Sequence, residues 1–203
     1  MQEILTMCVE FLKNLVTYDN IIVSMIMGML IVIIESIIPV LPLGVFIAIN
    51  TLVMGNLLGF IISWIGTLIG CSISYYIFRY GFNKYIYGEN KDIKSLKLIK
   101  MINKLKFSSL VLIAALPFTP AFSVNIAAGI AKLPYKKFIL AMMISKVFII
   151  YFWGYIGTTL IESIQDISVI IKIVVMLIIA YVVSTIVNRK YKLDWGVLWK
   201  LLC

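Results

Sequence analysis

Two long apolar stretches of the chain are each interrupted near mid-length by a pair of prolines, Pro39 and Pro42 in the first and Pro117 and Pro120 in the second. Proline removes a backbone hydrogen-bond donor and clashes with the preceding helical turn, so a helix ends at such a point. Inside a bilayer, non-helical backbone is tolerated only where protein buries it or where it lines a wet cavity. Paired interruptions in corresponding positions of two halves indicate a transport site.

The composition indicates that these apolar stretches lie in a lipid bilayer. Of the 203 residues, 63% are hydrophobic and only 13% are charged, and the mean hydropathy is +1.08. Because a soluble globule would expose too much apolar surface with this composition, we expect an all-α polytopic membrane protein. The chain has no histidine, and its three cysteines show no ligand spacing. We therefore expect no metal site, no cofactor and no enzymatic activity.

Hydropathy and periodicity divide the chain into three parts. Residues 1–19 have one apolar and one polar face, which is typical of an amphipathic helix at the bilayer interface. Residues 20–161 form the predicted membrane core, and residues 162–203 supply a C-terminal transmembrane helix and a basic tail. Within the core we expect two re-entrant broken hairpins and two spanning helices, the hairpins at about 21–54 and 107–131 and the spans at about 56–78 and 138–161.

The distribution of basic residues predicts the topology. Residues 79–106 contain eight of the eighteen basic residues, and three more lysines lie within 132–137. Both ends of the second hairpin therefore face the cytoplasm, as does the basic C-terminus. The acidic link 162–166 and the N-terminus are then outside, although the N-terminus would be inside if only one arm of the first hairpin crossed fully. Amphipathic helix, hairpin and span thus occur twice in opposite orientations, which is an inverted repeat followed by one extra helix.

The lysine-rich segment 79–106 raises the question of nucleic-acid binding, because the net charge of the chain is +9. Its lysines lie on one face of an amphipathic helix between two membrane segments, which favours anionic lipid headgroups or an ordinary solvated face. We therefore expect membrane lipids as partners and no nucleic acid. The sequence leaves the oligomeric state open, and a homo-oligomer is one option.

Two of the charged residues within the apolar spans are candidate site residues. Glu35 precedes the first proline break, and Lys146 lies in the middle of the fourth apolar segment. A charge near the bilayer centre costs about 2.5–3.5 kcal/mol even on the lenient insertion scale, so each needs a partner or water. The functional interpretation pairs Lys146 with Glu35 in one state and with a lipid phosphate in another. The alternatives are a Glu35 near the interface and a Lys146 that snorkels to the headgroups.

The broken helices themselves offer an anion site. Helices that begin at Pro42 and Pro120 would point free N–H groups and the positive end of the helix dipole towards the midplane, which favours a phosphate. Asn50 and Asn125 follow these breaks and could add amide donors. The alternative for both asparagines is ordinary hydrogen bonding between helices.

Several of these motifs resemble those of the DedA-like family, also called the VTT or SNARE-associated domain family. The resemblance is carried by Glu35-Ser-Ile-Ile-Pro39-Val-Leu-Pro42, by the glycine-rich span that ends in Arg79, and by Leu116-Pro-Phe-Thr-Pro120 with Asn125 and Gly129. It implies opposed re-entrant hairpins in the bacterial plasma membrane and transbilayer movement of phospholipids or polyprenyl phosphates, as a flippase or a scramblase. In some members a proton or sodium gradient is thought to drive the movement.

The chain departs from the family pattern at one position. The family often has an arginine three residues before the first proline of the second hairpin, and Ala114 occupies that position here. The hypothesis is that Lys146 replaces the missing cation. The alternative function is a non-transporting protein that organises the membrane and affects envelope homeostasis.

Overall fold

The computed structural model describes residues 20–38, 43–81, 103, 105–118, 121–162 and 167–190. These residues form six helices: α1 (Ile21–Ile37), α2 (Leu43–Gly81), α3 (Phe107–Ala115), α4 (Ala121–Ile130), α5 (Tyr135–Glu162) and α6 (Ile167–Lys190). The predicted amphipathic helix at 1–19, most of the basic segment 79–106 and the tail after 190 lie outside the described residues.

A sharp bend at Gly55 divides α2 into two parts, 43–54 and 56–81. Gly55 has φ +80°, a conformation that only glycine adopts without strain. In a straight helix, residues 50 and 59 would be about 13 Å apart. Here a Cβ built on Gly59 would lie 2.6 Å from the carbonyl oxygen of Asn50. The chain therefore reverses at Gly55, and segment 43–54 packs back against segment 56–81.

The first broken hairpin consists of α1 and segment 43–54. α1 packs against both parts of α2: Gly28 lies against Asn50, whereas Ser36 lies against Gly70. The small residues of α1 and α2 permit this close approach, as is usual between helices in membranes.

The second predicted hairpin corresponds to α3 and α4, which pack mainly on different helices: α3 on α5 and α4 on α2. Gly129 of α4 lies directly on the backbone of α2, because a Cβ there would be 2.6 Å from the carbonyl oxygen of Tyr75. The Tyr75 ring in turn stacks on Phe138 of α5 with 4.8 Å between ring centroids. These contacts belong to a core cluster of buried residues from α2, α3, α4 and α5.

The expected all-α membrane architecture is confirmed. Within the described part of the chain, three helices are long and apolar enough to cross a membrane, within Leu43–Gly81, Tyr135–Thr159 and Ser168–Val187, and the shorter α1 is also apolar. α6 packs lightly on the other helices, and the ring of its Tyr181 meets Phe118 edge to face at 5.7 Å. The domain boundaries and the side from which each hairpin enters stay predictions.

The close approach at Gly59 predicts a loss of stability when a methyl group is added. We expect Gly59→Ala to lower the free energy of unfolding by about 1–3 kcal/mol, because the new Cβ would meet backbone atoms that cannot move away as a side chain would. Thermal unfolding of the purified protein in detergent measures the effect. Gly81→Ala is the matched control, since a Cβ at Gly81 would meet nothing within 4 Å. Equal melting temperatures for the two variants would contradict the tight reversal.

Candidate functional site

The two broken hairpins meet at Trp153 of α5. Its ring lies against the backbone of Gly44 at the start of α2, where a Cβ would be 2.5 Å from a ring carbon. The same ring lies edge to face with Phe118, in the turn that follows α3, with 6.5 Å between centroids. Residues beside both predicted breaks therefore converge on one side chain. Sequence reasoning missed Trp153, because a tryptophan in an apolar span carries no signal that it contacts two hairpins.

The breaks lie between separate helices in the structure. The first falls between α1, which ends at Ile37, and α2, which begins at Leu43; the second falls between α3, which ends at Ala115, and α4, which begins at Ala121. Pro117 lies in the turn after α3. Pro39, Pro42 and Pro120 lie outside the described residues.

Lys146 lies on α5 two turns before Trp153, and its side chain is only 1% exposed. Among the described residues it has neither a hydrogen-bond acceptor nor a salt bridge. Its charge acts through space on the carboxyl group of Glu35, which is half-buried on α1. Burying a lysine without a direct hydrogen-bonded or ion-paired partner is costly.

Asn125 on α4 is a second buried polar group without a direct partner in the described part of the chain. Its side chain is fully buried, and neither its Nδ2 nor its Oδ1 has a hydrogen-bond partner among the described residues. Ser74 on α2, the helix that packs on α4, has an equally unpartnered hydroxyl. Each such group costs about 1–3 kcal/mol. Buried groups of this kind are rare in native structures and call for an explanation, such as a role in binding.

Asn50 differs from Asn125 because its amide is already engaged. Its Nδ2 donates to the carbonyl oxygen of Gly28 at 3.3 Å and to the hydroxyl of Ser63 at 3.0 Å. Asn50 therefore ties α1 to both parts of α2, and a ligand would have to displace these bonds. The roles of the candidate residues in a substrate or ion pathway stay predictions.

A cluster of hydrogen bonds joins the C-terminal end of α2 to the link between α4 and α5. The hydroxyl of Tyr75 donates to the carbonyl oxygen of Leu133 at 2.5 Å, and Nη1 of Arg79 donates to the same oxygen at 3.0 Å and also to the Tyr75 hydroxyl. Nearby on α5, Nζ of Lys137 donates to the carbonyl oxygen of Leu105 at 2.7 Å. The cluster fixes the link 131–134, between α4 and α5, onto the end of α2.

The model of the VTT domain matches residues 21–159 of this chain, a range that contains both hairpins, Trp153 and Lys146. The chain belongs to the VTT domain (DedA) family. The uncharacterized membrane protein YhjE of Bacillus subtilis (strain 168) is 33% identical over 157 residues, which is 76% of each chain. The uncharacterized protein YqeD of the same organism is 23% identical over 128 residues, which is 61% of this chain and 60% of YqeD. No solved structure matches.

Ala114, the position where this VTT-domain protein lacks the family's frequent arginine, lies in the apolar core and is 5% exposed. It belongs to the same buried cluster as Tyr75 and Phe138. An arginine at this position would need space that the packed side chains do not leave. That Lys146 on α5 supplies the missing cation instead stays a prediction.

Proposed function

We propose that this VTT-domain protein translocates lipids with phosphate headgroups, phospholipids or polyprenyl phosphates, across the bilayer as a flippase or scramblase. The observation that carries the proposal is the convergence of residues beside both helix breaks on Trp153, two turns from the buried Lys146. A phosphate headgroup that crosses the hydrocarbon layer needs a cation and amide donors to replace its water.

The charges and the donors of the site fit an anionic headgroup. Lys146 supplies a positive charge, and Asn125 supplies an amide whose two donors are unused. The carboxyl group of Glu35 attracts Lys146 when the headgroup is absent, so a phosphate and Glu35 would compete for the same cation. Glu35 is also the residue through which a proton or sodium gradient would act, because its charge changes on protonation and it can bind a cation.

Reconstitution into liposomes tests the proposal. Vesicles would contain a trace of lipid with a fluorophore on the acyl chain, and dithionite added outside would bleach only the outer leaflet. We expect bleaching beyond the outer-leaflet fraction with phosphatidylglycerol or a polyprenyl phosphate, and none with a glycolipid that lacks phosphate. Rates that match protein-free vesicles for every lipid, with and without an imposed gradient, would contradict transport and leave the membrane-organising alternative.

The unequal bonding of the two asparagines predicts opposite changes in stability. We expect Asn125→Leu to raise the free energy of unfolding by about 1–3 kcal/mol, because it removes a buried amide that has no partner. Asn50→Leu, the matched control, should lower it by a similar amount, because it leaves the Gly28 carbonyl and the Ser63 hydroxyl without their donor. If Asn125 binds the headgroup, the more stable Asn125→Leu protein should transport more slowly. Thermal unfolding and the dithionite assay on the same preparations measure both effects.

A further inference from the structure

A hydrogen bond at Trp64 joins α2 to α5 at similar positions of the two predicted repeats. Nε1 of Trp64 donates to the carbonyl oxygen of Met143 at 3.1 Å, and the two residues are 79 positions apart. Nearly the same interval separates Pro39 from Pro117. At the 78-residue interval of the two proline pairs Trp64 corresponds to Met142, so Trp64 and Met143 are equivalent to within one residue. A contact between equivalent positions of an inverted repeat lies close to its pseudo-two-fold axis.

Two apolar grooves run along the seam between α2 and α5. Groove A has a volume of about 460 Å³ and is lined mainly by Leu57, Phe60, Ile150, Tyr151, Gly154 and Tyr155. Groove B has a volume of about 620 Å³ and is lined mainly by Leu68, Ser72, Ile73, Tyr76, Tyr135 and Ile139. Both volumes fall within the range of roughly 300–1,000 Å³ that is usual for small-molecule sites.

The grooves are equivalent under the repeat. A shift of 79 residues places Phe60 of groove A on Ile139 of groove B, and Tyr76 of groove B on Tyr155 of groove A. The predicted inversion of the repeats would place one groove at each leaflet. A pair of equivalent grooves, one at each leaflet, is the geometry expected of a protein whose substrate is present in both leaflets.

Trp64 separates the grooves. It lies one turn after Phe60, which lines groove A, and one turn before Leu68, which lines groove B. Its indole crosses the seam to reach Met143, which also lines groove B. The side chain therefore closes the path along the seam between the two grooves.

We propose that grooves A and B bind an acyl chain of the translocated lipid. The Trp64 side chain is then a barrier between the grooves, and the acyl chain must pass it when the lipid moves from one leaflet to the other. This inference rests on the proposed lipid transport and deepens it, because it places the hydrocarbon part of the substrate. Groove A adjoins the headgroup site: Thr51, which follows Asn50 in the first hairpin, lines it opposite Gly154. A chain in groove A therefore keeps its headgroup beside that hairpin.

The shape of the grooves favours an acyl chain over a partner helix. One turn of a helix that is 10 Å wide and 5.4 Å long occupies about 400 Å³, so each groove has room for little more than one turn. A single-file hydrocarbon chain fills such a space along its length and gains close contacts on both sides. The lining residues of both grooves are uncharged, which suits the chain and leaves the phosphate to Lys146.

Filling the grooves tests the proposal. Leu57→Trp adds bulk to groove A and Ile73→Trp to groove B, at side chains that are 72% and 38% exposed. Each should slow translocation about tenfold, the equivalent of roughly two methylenes of lost burial. Ile178→Trp, at a lipid-facing residue of α6 that is 57% exposed, is the control and should transport as the wild type does. Wild-type rates in both groove variants would overturn the proposal.

Trp64 variants and a photoreactive lipid complete the experiment. Trp64→Ala should speed translocation several-fold, whereas Trp64→Phe keeps most of the bulk and should change it little. Unchanged or slower transport in a Trp64→Ala protein with a wild-type melting temperature would overturn the role of Trp64 as a barrier. A phosphatidylglycerol with a diazirine on one acyl chain should label the lining residues of both grooves more than α6.

The photolabelling remains decisive if the wild-type protein moves no lipid. Enrichment in the grooves would then support them as chain sites although the transport proposal had failed, and labelling equal to that of α6 would overturn them. Leu57→Cys tests whether a second copy of the chain covers groove A. Cross-linking between two copies through this cysteine, without lipid labelling of the groove, would show that it does and would also overturn the proposal.

Discussion

Replacing Lys146 with leucine is expected to reduce lipid translocation by about 10- to 100-fold, which corresponds to the loss of one or two charged hydrogen bonds to the headgroup. The protein should nevertheless remain at least as stable as the wild type. Lys146 is buried without a hydrogen bond or salt bridge among the described residues, so its removal relieves a desolvation cost. Thermal unfolding and the dithionite assay separate the two effects, because misfolding would lower both.

Two further variants define what Lys146 contributes. Lys146→Arg keeps the positive charge on the same helix and should recover part of the activity. It is a better rescue than Ala114→Arg, because position 114 lies in the packed core. Glu35→Gln should abolish any dependence of transport on an ion gradient while passive scrambling persists. Wild-type rates in a stable Lys146→Leu protein would return Lys146 to the role of a residue that snorkels to the headgroups.

Removal of the second proline break is expected to stop transport without preventing membrane insertion. In Pro120→Ala the residue can donate a backbone hydrogen bond, so α3 and α4 can extend towards one another across 116–120. The helix start at the midplane would be lost, and Phe118 would no longer lie at a turn beside Trp153. We expect transport to fall at least tenfold, the effect of losing roughly one charge-assisted hydrogen bond at the site.

Pro134→Ala is the matched control for the proline experiment. Pro134 lies outside the hairpin, where it directly precedes α5 and is exposed, and proline at a helix start is readily replaced. This variant should transport at the wild-type rate. If Pro120→Ala also inserts, unfolds at the wild-type temperature and transports normally, the break is incidental to function.

The membrane class and the positions of the helix breaks were predictable because they follow from hydropathy and from proline, which act locally. The fold class is confirmed, and the helices end and begin where the prolines suggest. The sequence also marked Asn50 and Asn125 as candidate amide donors, but it could not show that the amide of Asn50 is hydrogen-bonded and that of Asn125 is not. Their difference depends on Gly28 and Ser63, which reach Asn50 only after the chain reverses at Gly55.

Other features were out of reach because they depend on contacts between distant segments. Trp64, Trp153 and the Tyr75 cluster appear in the sequence as ordinary aromatic residues of apolar spans. Their importance comes from the residues that lie opposite them in the fold. Trp64 contacts Met143, and Trp153 contacts Gly44 and Phe118. Helix packing of this kind is set by close fit rather than by hydropathy, which is the same for every face of a buried helix.

The central position of α2 has a consequence for biosynthesis. α2 contacts α1, α4 and α5, so it belongs to the core of both halves. The first hairpin finds its partner helix directly after it in the nascent chain and can assemble while synthesis continues. The second hairpin must instead dock onto a helix already in the bilayer. We therefore expect the N-terminal half to insert correctly by itself, and the C-terminal half to depend on its earlier arrival.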